Sequence, residues 1–227
     1  MSVVSAKNIT KTFGEAPNKT IVLKNISLQI NKGEFLSIIG PSGSGKSTLM
    51  YLLGLLDVPT KGAIYINGQK TKDISEKDRA KLRNREIGFV FQTYNLLPRT
   101  SALANVMLPL NYSNVSRDER KSKAMKLLKD VGLSHRISSF PSQLSGGEQQ
   151  RVAIARSLIC GPSIILADEP TGNLDTKTGE QIINIISQLN KQGKTIVLVT
   201  HDNNIAKKTN RIVTIKDGQV LSDKKNR

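Results

Sequence analysis

Cysteine is nearly absent. The sequence has one, Cys160, which excludes an internal disulfide and fits a reducing compartment. No stretch reaches the roughly 18 consecutive apolar residues that a membrane-crossing helix needs, so none is expected. The opening residues, Met1-Ser2-Val3-Val4-Ser5-Ala6-Lys7, lack the charged and apolar regions of a secretion signal. Internal repeats and low-complexity linkers are missing too. The 227 residues suffice for a sizeable core, as one α/β domain or a domain carrying an inserted subdomain. Acids are scarce: 34 Lys and Arg face 18 Asp and Glu, giving a formal net charge of +16. Basic residues gather between Lys70 and Arg85, Arg117 and Lys129, and Lys207 and Arg227. Such an excess fits nucleic acid or an anionic membrane surface. Lysine-rich solvated surface is the other reading, and acids interleave the first two clusters.

Against these absences stands one dense motif, Gly40-Pro41-Ser42-Gly43-Ser44-Gly45-Lys46-Ser47. Phe35 to Ile39 before it is a short apolar run that reads as a buried strand. Thr48 to Leu56 after it is apolar enough for a buried helix. A G-x-x-x-x-G-K-[ST] stretch in that context is a phosphate loop. Its glycines let successive N–H groups point inward, and the positive end of the following helix completes an anion cradle. In this motif Lys46 reaches the β- and γ-phosphates and the Ser47 hydroxyl ligates Mg²⁺. A nucleoside triphosphate site follows.

Around the loop the pattern is mixed. Val3 to Thr12 alternates weakly, as an edge strand would. Ile26, Leu28 and Ile30 alternate with polar residues, the mark of a half-buried strand. Asn67-Gly68 and Asp217-Gly218 each lie between apolar stretches and predict hairpins. Ser116-Arg117-Asp118-Glu119 reads as a capping box. It precedes Ala124, Leu127, Leu128 and Val131 at helical spacing, with Gly132 as the stop. Residues 93 to about 160 thus look helical and inserted between strands of the main sheet. Ser163 to Ala167 is a buried strand, Ile182, Ile185, Ile186 and Leu189 mark an amphipathic helix closed by Gly193, and Thr195 to Val199 is β-branched. This alternation predicts a parallel sheet. The polar tail from Lys224 to Arg227 is expected to fray.

Two further stretches carry chemistry. Asp168 and Glu169 end a hydrophobic strand. There, one carboxylate can hold Mg²⁺ opposite Ser47, and the next can deprotonate water for attack on the γ-phosphate. Helix-capping acids are the plainer reading. Leu144-Ser145-Gly146-Gly147-Glu148-Gln149 opens a helix that stops at Gly161-Pro162, and Ser145 with Glu148 makes a capping box. Two glycines at a helix start cost stability, and exposed N–H groups there bind phosphate well. With a complete cradle already present at 40–47, this is a second phosphate-binding surface.

Taken in order, GPSGSGKS at Gly40, Gln92 after a strand, LSGGEQ at Leu144, IILADEP at Ile164, NLD at Asn173 and THD at Thr200 make the chain resemble the nucleotide-binding subunits of ATP-binding-cassette (ABC) transporters, over essentially its whole length. The resemblance implies a phosphate-loop NTPase fold over 1–227. A nucleotide-binding core with a mainly parallel sheet and an antiparallel β part covers 1–92 and 161–227, and a helical subdomain covers about 93–160. It implies two copies meeting head to tail on binding ATP, each nucleotide lying between one copy's phosphate loop and the other's LSGGEQ. Gly40, Pro41, Ser42, Gly43, Ser44, Gly45, Lys46, Ser47 and Thr48 then bind nucleotide. Ser47, Gln92 and Asp168 meet Mg²⁺. Glu169 is the general base, helped by His201 and Gln92. Ser145, Gly146, Gly147 and Glu148 face the partner's nucleotide, and Asp175 lies in the loop joining the two sites. Phe13 takes the place of the aromatic that stacks on adenine; a core phenylalanine is the alternative.

The stretches Gly54-Leu55-Leu56-Asp57, IGFVFQTYNLLP at Ile87, Ala104-Asn105-Val106 and PTGNLD at Pro170 resemble the lipoprotein-release and macrolide-export branch, which also includes peptide-detoxification and cell-division ATPases. Arg99-Thr100-Ser101 and Ala104 depart from that pattern, just past Gln92 where the family meets its permease. The resemblance implies a peripheral ATPase on the cytoplasmic face of the membrane, bound to a permease on a separate chain, with no nucleic-acid partner. A soluble ABC protein acting on nucleic acid is the competing class. In a titration against DNA and RNA near physiological salt, the chain is expected to show no binding whose salt slope corresponds to several released counterions.

Overall fold

The computed structural model describes residues 1–15 and 17–226. Among these described residues, two sheets and seven α-helices make an α/β architecture. The larger sheet is built from β3 (Phe35–Ile39), β6 (Ile87–Val90), β7 (Ile164–Asp168), β8 (Ile196–Val199), β9 (Arg211–Lys216) and β10 (Gln219–Lys225), in the order β10-β9-β3-β8-β7-β6. All its neighbours are parallel except the terminal β9–β10 hairpin. The smaller sheet is antiparallel, ordered β2-β1-β4-β5, from β1 (Ser2–Phe13), β2 (Thr20–Asn31), β4 (Lys61–Ile66) and β5 (Gln69–Lys70).

The parallel strands are apolar at nearly every position because both their faces are covered. Leu36, Ile38, Leu166, Val197 and Val199 face a core shared with the small sheet and with α1 (Lys46–Leu53), which packs against β2, β7 and β8. Ile165, Ala167, Ile196 and Leu198 belong to a second core with α3 (Ala102–Met107), α4 (Arg117–Asp130), α5 (Gly146–Leu158) and α6 (Thr176–Lys191). The remaining helices are α2 (Glu76–Glu86) and the short α7 (Asn203–Ala206). The helical stretch enters after β6 and returns at β7. Its buried Ala124 and Leu128 share one continuous apolar cluster with the sheet residue Leu198.

Three local expectations are corrected. β1 is an interior strand of its sheet, paired with β2 on one side and β4 on the other, so that Ala6 faces both Leu28 and Ile64. Its alternation looked weak because a register shift between Ala6 and Ile9, with Asn8 at φ 49°, changes the phase of the buried positions. The tail does not fray: Lys224 and Lys225 pair with Ile212 and Arg211 in β10, and Asn226 donates to the Lys207 and Thr209 carbonyls. Arg227 lies outside the described residues. Only half of the box at Ser116 forms. The Ser116 hydroxyl accepts the Glu119 N–H at 3.3 Å, while the Glu119 carboxylate pairs with Lys123 at 2.8 Å. Both predicted hairpins are present, with Asn67-Gly68 and Asp217-Gly218 all at positive φ.

Because the helical stretch and the sheet share one core, Leu128→Ala should cost about 2–5 kcal/mol. Urea unfolding should remain a single transition with a lower midpoint by both fluorescence and circular dichroism.

Candidate functional site

The carboxyl ends of β3, β7 and β8 lie side by side, with Ile38 opposite Val199 and Val199 opposite Asp168. Each end carries its own segment of the site: the phosphate loop after β3, Asp168-Glu169 closing β7, and Thr200-His201 after β8. A cavity of about 390 Å³ opens between them, lined by Ser42, Gly43, Lys46, Asp168, Glu169 and His201 among others. Gly45 caps α1 at φ 101°. A side chain there would meet Leu23 Cδ2 at 2.7 Å, so only glycine fits both the turn and the strand behind it. The Lys46 ammonium donates to the carbonyls of Gly40 and Pro41 at 2.9 Å each, spanning the loop from within. Ser44 Oγ is buried without a partner, and Gly218 N–H donates to the Ser44 carbonyl at 3.1 Å, so the second hairpin turn braces the loop.

Electrostatics differ between the two adjacent acids. Burial pushes the Asp168 carboxyl up, the neighbouring Glu169 charge adds to this, and Lys46 and the Ser47 hydroxyl oppose it. Glu169 sits at φ 44°, a left-handed conformation that costs a non-glycine residue on the order of 1–3 kcal/mol. Its amide donates to Val199 O at 2.9 Å, and one carboxylate oxygen meets both the His201 N–H (3.1 Å) and the ring Nδ1 (2.7 Å). The strain is held by that three-point attachment. His201 projects into solvent at the cavity's edge, its side chain 75% exposed. Among the described residues no cluster of three or more His, Cys, Asp or Glu forms a metal cage. A hydroxyl and one carboxylate facing a phosphate cradle is the donor set that suits Mg²⁺, which takes few protein ligands and completes its shell from phosphate and water.

The structure does not gather every predicted residue here. Gln92 is absent from the cavity lining; its amide donates to Asn173 Oδ1 at 3.2 Å and packs over Gly172. Residues 144–149 are also absent from that lining. The Ser145–Glu148 capping box is complete, with Ser145 N–H to Glu148 at 2.8 Å and Glu148 N–H to Ser145 Oγ at 3.3 Å, and Ser145 is exposed. Glu148 also pairs with Arg136 at 3.0 Å, and its carboxyl is held low chiefly by the Ser145 N–H. Asp175 caps α6 by accepting the Thr178 N–H at 3.0 Å. Phe13 is not a core residue; it is 45% exposed.

The two glycines opening α5 have steric reasons inside the chain. A Cβ on Gly146 would lie 2.8 Å from the Tyr94 hydroxyl, and one on Gly147 would lie 2.4 Å from Thr178 Cγ2. The starts of α5 and α6 therefore touch. Sequence reasoning missed Tyr94, Thr178 and Arg156. The last is mostly buried on α5 and donates to the carbonyls of Tyr94 (2.8 Å) and Asn95 (2.5 Å), two consecutive residues at positive φ. Burial alone lowers the Arg156 pKa. Asn105 stitches the neighbouring loop, accepting Leu97 N–H at 2.7 Å and donating to Thr100 and Ser101. A basic residue at helical spacing was the only signal for Arg156; nothing local marked the carbonyls it serves.

A model of the ABC transporter family matches residues 23–172. The chain is 49% identical over 223 residues to a macrolide export ATP-binding/permease protein, MacB, of Mannheimia succiniciproducens, covering 98% of this chain and 35% of that protein. It thus spans about a third of the length of that relative. It is 49% identical to MJ0796, an uncharacterized ABC transporter ATP-binding protein of Methanocaldococcus jannaschii, covering 98% and 97% of the two chains. A dimeric post-hydrolysis structure of MJ0796 bound to ADP and Pi superposes with a TM-score of 0.90 at 48% identity over 99% of both chains.

Gly147→Ala should destabilise the fold by about 1–3 kcal/mol through the Thr178 contact. Adding Thr178→Ser, which removes the opposing methyl, should restore most of the melting temperature in a thermal scan.

Proposed function

The chain belongs to the ABC transporter family, and on that premise we propose that it is the ATP-hydrolysing subunit of a transporter whose permease is a separate chain, working as a head-to-tail dimer. The observation that carries this reading is the half-built site. One chain lines its cavity with Ser42, Gly43, 45–48, 168–169 and 201 among others, while the exposed Ser145 at the start of α5 is not part of that lining. A second copy supplies that helix start to the open side of the nucleotide. That the MJ0796 cassette holding ADP and Pi is dimeric supports a two-copy assembly.

In this assignment the loop N–H groups and Lys46 bind the β- and γ-phosphates of ATP, and Phe13 stacks on its adenine. Ser47 and Asp168 would hold Mg²⁺, with Gln92 the third residue assigned to it. Bound Mg²⁺ neutralises charge on the phosphates. Glu169, fixed by His201 and Val199, takes the proton of the attacking water, and His201 lies at the edge where the γ-phosphate ends. Ser145, Gly147 and the α5 N-terminus contact the partner's nucleotide. Residues 93 to about 160 act as the helical subdomain, and Asp175 with Thr178 joins the two sites.

The identity to MacB-type proteins favours the branch that drives lipoprotein release or export of macrolides and peptides. No helix among the described residues is long and apolar enough to cross a membrane. We place the chain at the cytoplasmic face, held there by its permease. A second cleft of about 1190 Å³, lined by Lys77, Arg83, Asn95, Leu110 and Arg156 among others, adjoins the loop after Gln92 and offers the contact surface.

Glu169→Gln should lower ATP turnover by about 10²–10⁴-fold and trap an ATP-loaded dimer visible by size-exclusion chromatography with light scattering; undiminished hydrolysis would reject the role of Glu169. Ser145→Ala should reduce steady-state turnover while leaving ATP binding to the monomer intact, since the serine acts on the other copy's nucleotide.

A further inference from the structure

Lys11 stands two residues before Phe13 on β1 and is 8% exposed, an unusual depth for a lysine. Its ammonium donates to Asp57 Oδ1 at 2.6 Å and to the Val58 carbonyl at 3.0 Å. The same nitrogen lies 4.8 Å from the centroid of the Phe13 ring. Asp57 is itself fixed by the Val58 N–H at 2.7 Å. The ring stays 45% exposed, and its strand partner Thr20 lies two residues from Val22, which lines the phosphate cavity. A buried cation engaged by two oxygens is not free to grip a phosphate. Nor is it a surface charge that attracts ATP from a distance, because Asp57 neutralises it. What it touches, beyond those two oxygens, is the ring.

We propose that Lys11 is a positioning residue for base recognition: it backs one face of Phe13 so that the opposite face receives the purine. This rests on the assignment of Phe13 as the stacking surface. The physical effect is twofold. The anchored ammonium restrains a ring that is otherwise half in solvent, so less rotamer freedom is lost when the base arrives. A cation on one face also draws π density toward itself, leaving the other face better matched to an electron-rich purine. The Asp57–Lys11–Phe13 relay thus bears on the base and not on the phosphates.

The test compares Mg·ATP with inorganic tripolyphosphate, which carries the phosphates without base or sugar, by calorimetry on the full chain. Lys11→Met keeps the apolar stem and should weaken ATP by about three- to tenfold with tripolyphosphate unchanged. Lys11→Arg should recover most of the loss, and in a Phe13→Ala background Lys11→Met should add nothing. If Lys11→Met leaves Asp57 unpaired and unfolds the chain, the double variant with Asp57→Asn gives the same comparison. Equal weakening of both ligands, or of neither, overturns the proposal. Selective loss of ATP in Phe13→Ala with none in Lys11→Met overturns the role of Lys11 alone. An unchanged ratio in Phe13→Ala overturns the stacking assignment itself.

Discussion

The parallel alignment of β3, β8 and β7 is the constraint from which the site follows. Three strands running the same way end at one edge, so whatever each carries past its last residue is delivered to one place. Burial on both faces fixes the register, since each strand is apolar toward the small sheet and α1 on one side and toward the helices on the other. A slip of one residue would exchange those faces and would also carry Asp168 away from Ser47 and Lys46.

Within that frame the chemistry is prepared by local conflict. Glu169 adopts a backbone conformation that few acids tolerate, and it does so where its amide is tied to the last residue of β8 and its carboxylate to His201, two residues further on. Asp168, one residue earlier, is buried enough for its ionised form to be disfavoured, and the neighbouring lysine and serine only partly offset this. A site with two acids in sequence, one desolvated and one strained, is primed for a cationic and phosphate-bearing ligand more than for stability of the free chain.

Much of this was legible in the sequence because the decisive signals are local. The phosphate loop, the strand before it, the capping box at Ser145 and both hairpin turns are each set by a few adjacent residues. What escaped was non-local. β1 looked like an edge because its bulge at Asn8 hid the period, and its second partner, β4, lies some fifty residues on. The tail looked loose because lysines rarely build strands, yet pairing with β9 and the bonds of Asn226 overrule composition. The glycines of α5 signal through their exposed N–H groups, whereas the neighbours that crowd a side chain there, Tyr94 and Thr178, come from distant stretches. Gln92 was placed by resemblance beside the metal, and its present partner Asn173 could not be inferred from spacing.

Helix α5 has a consequence of its own. At its first turn it abuts the Tyr94 hydroxyl and Thr178, and near its last turn Arg156 clasps the carbonyls of Tyr94 and Asn95. Its 13 residues make a strut about 20 Å long, packed against that short loop at one end and hydrogen-bonded to it at the other. Strut and loop are a single mechanical part. Moving that loop would mean moving the helix that begins just after Ser145.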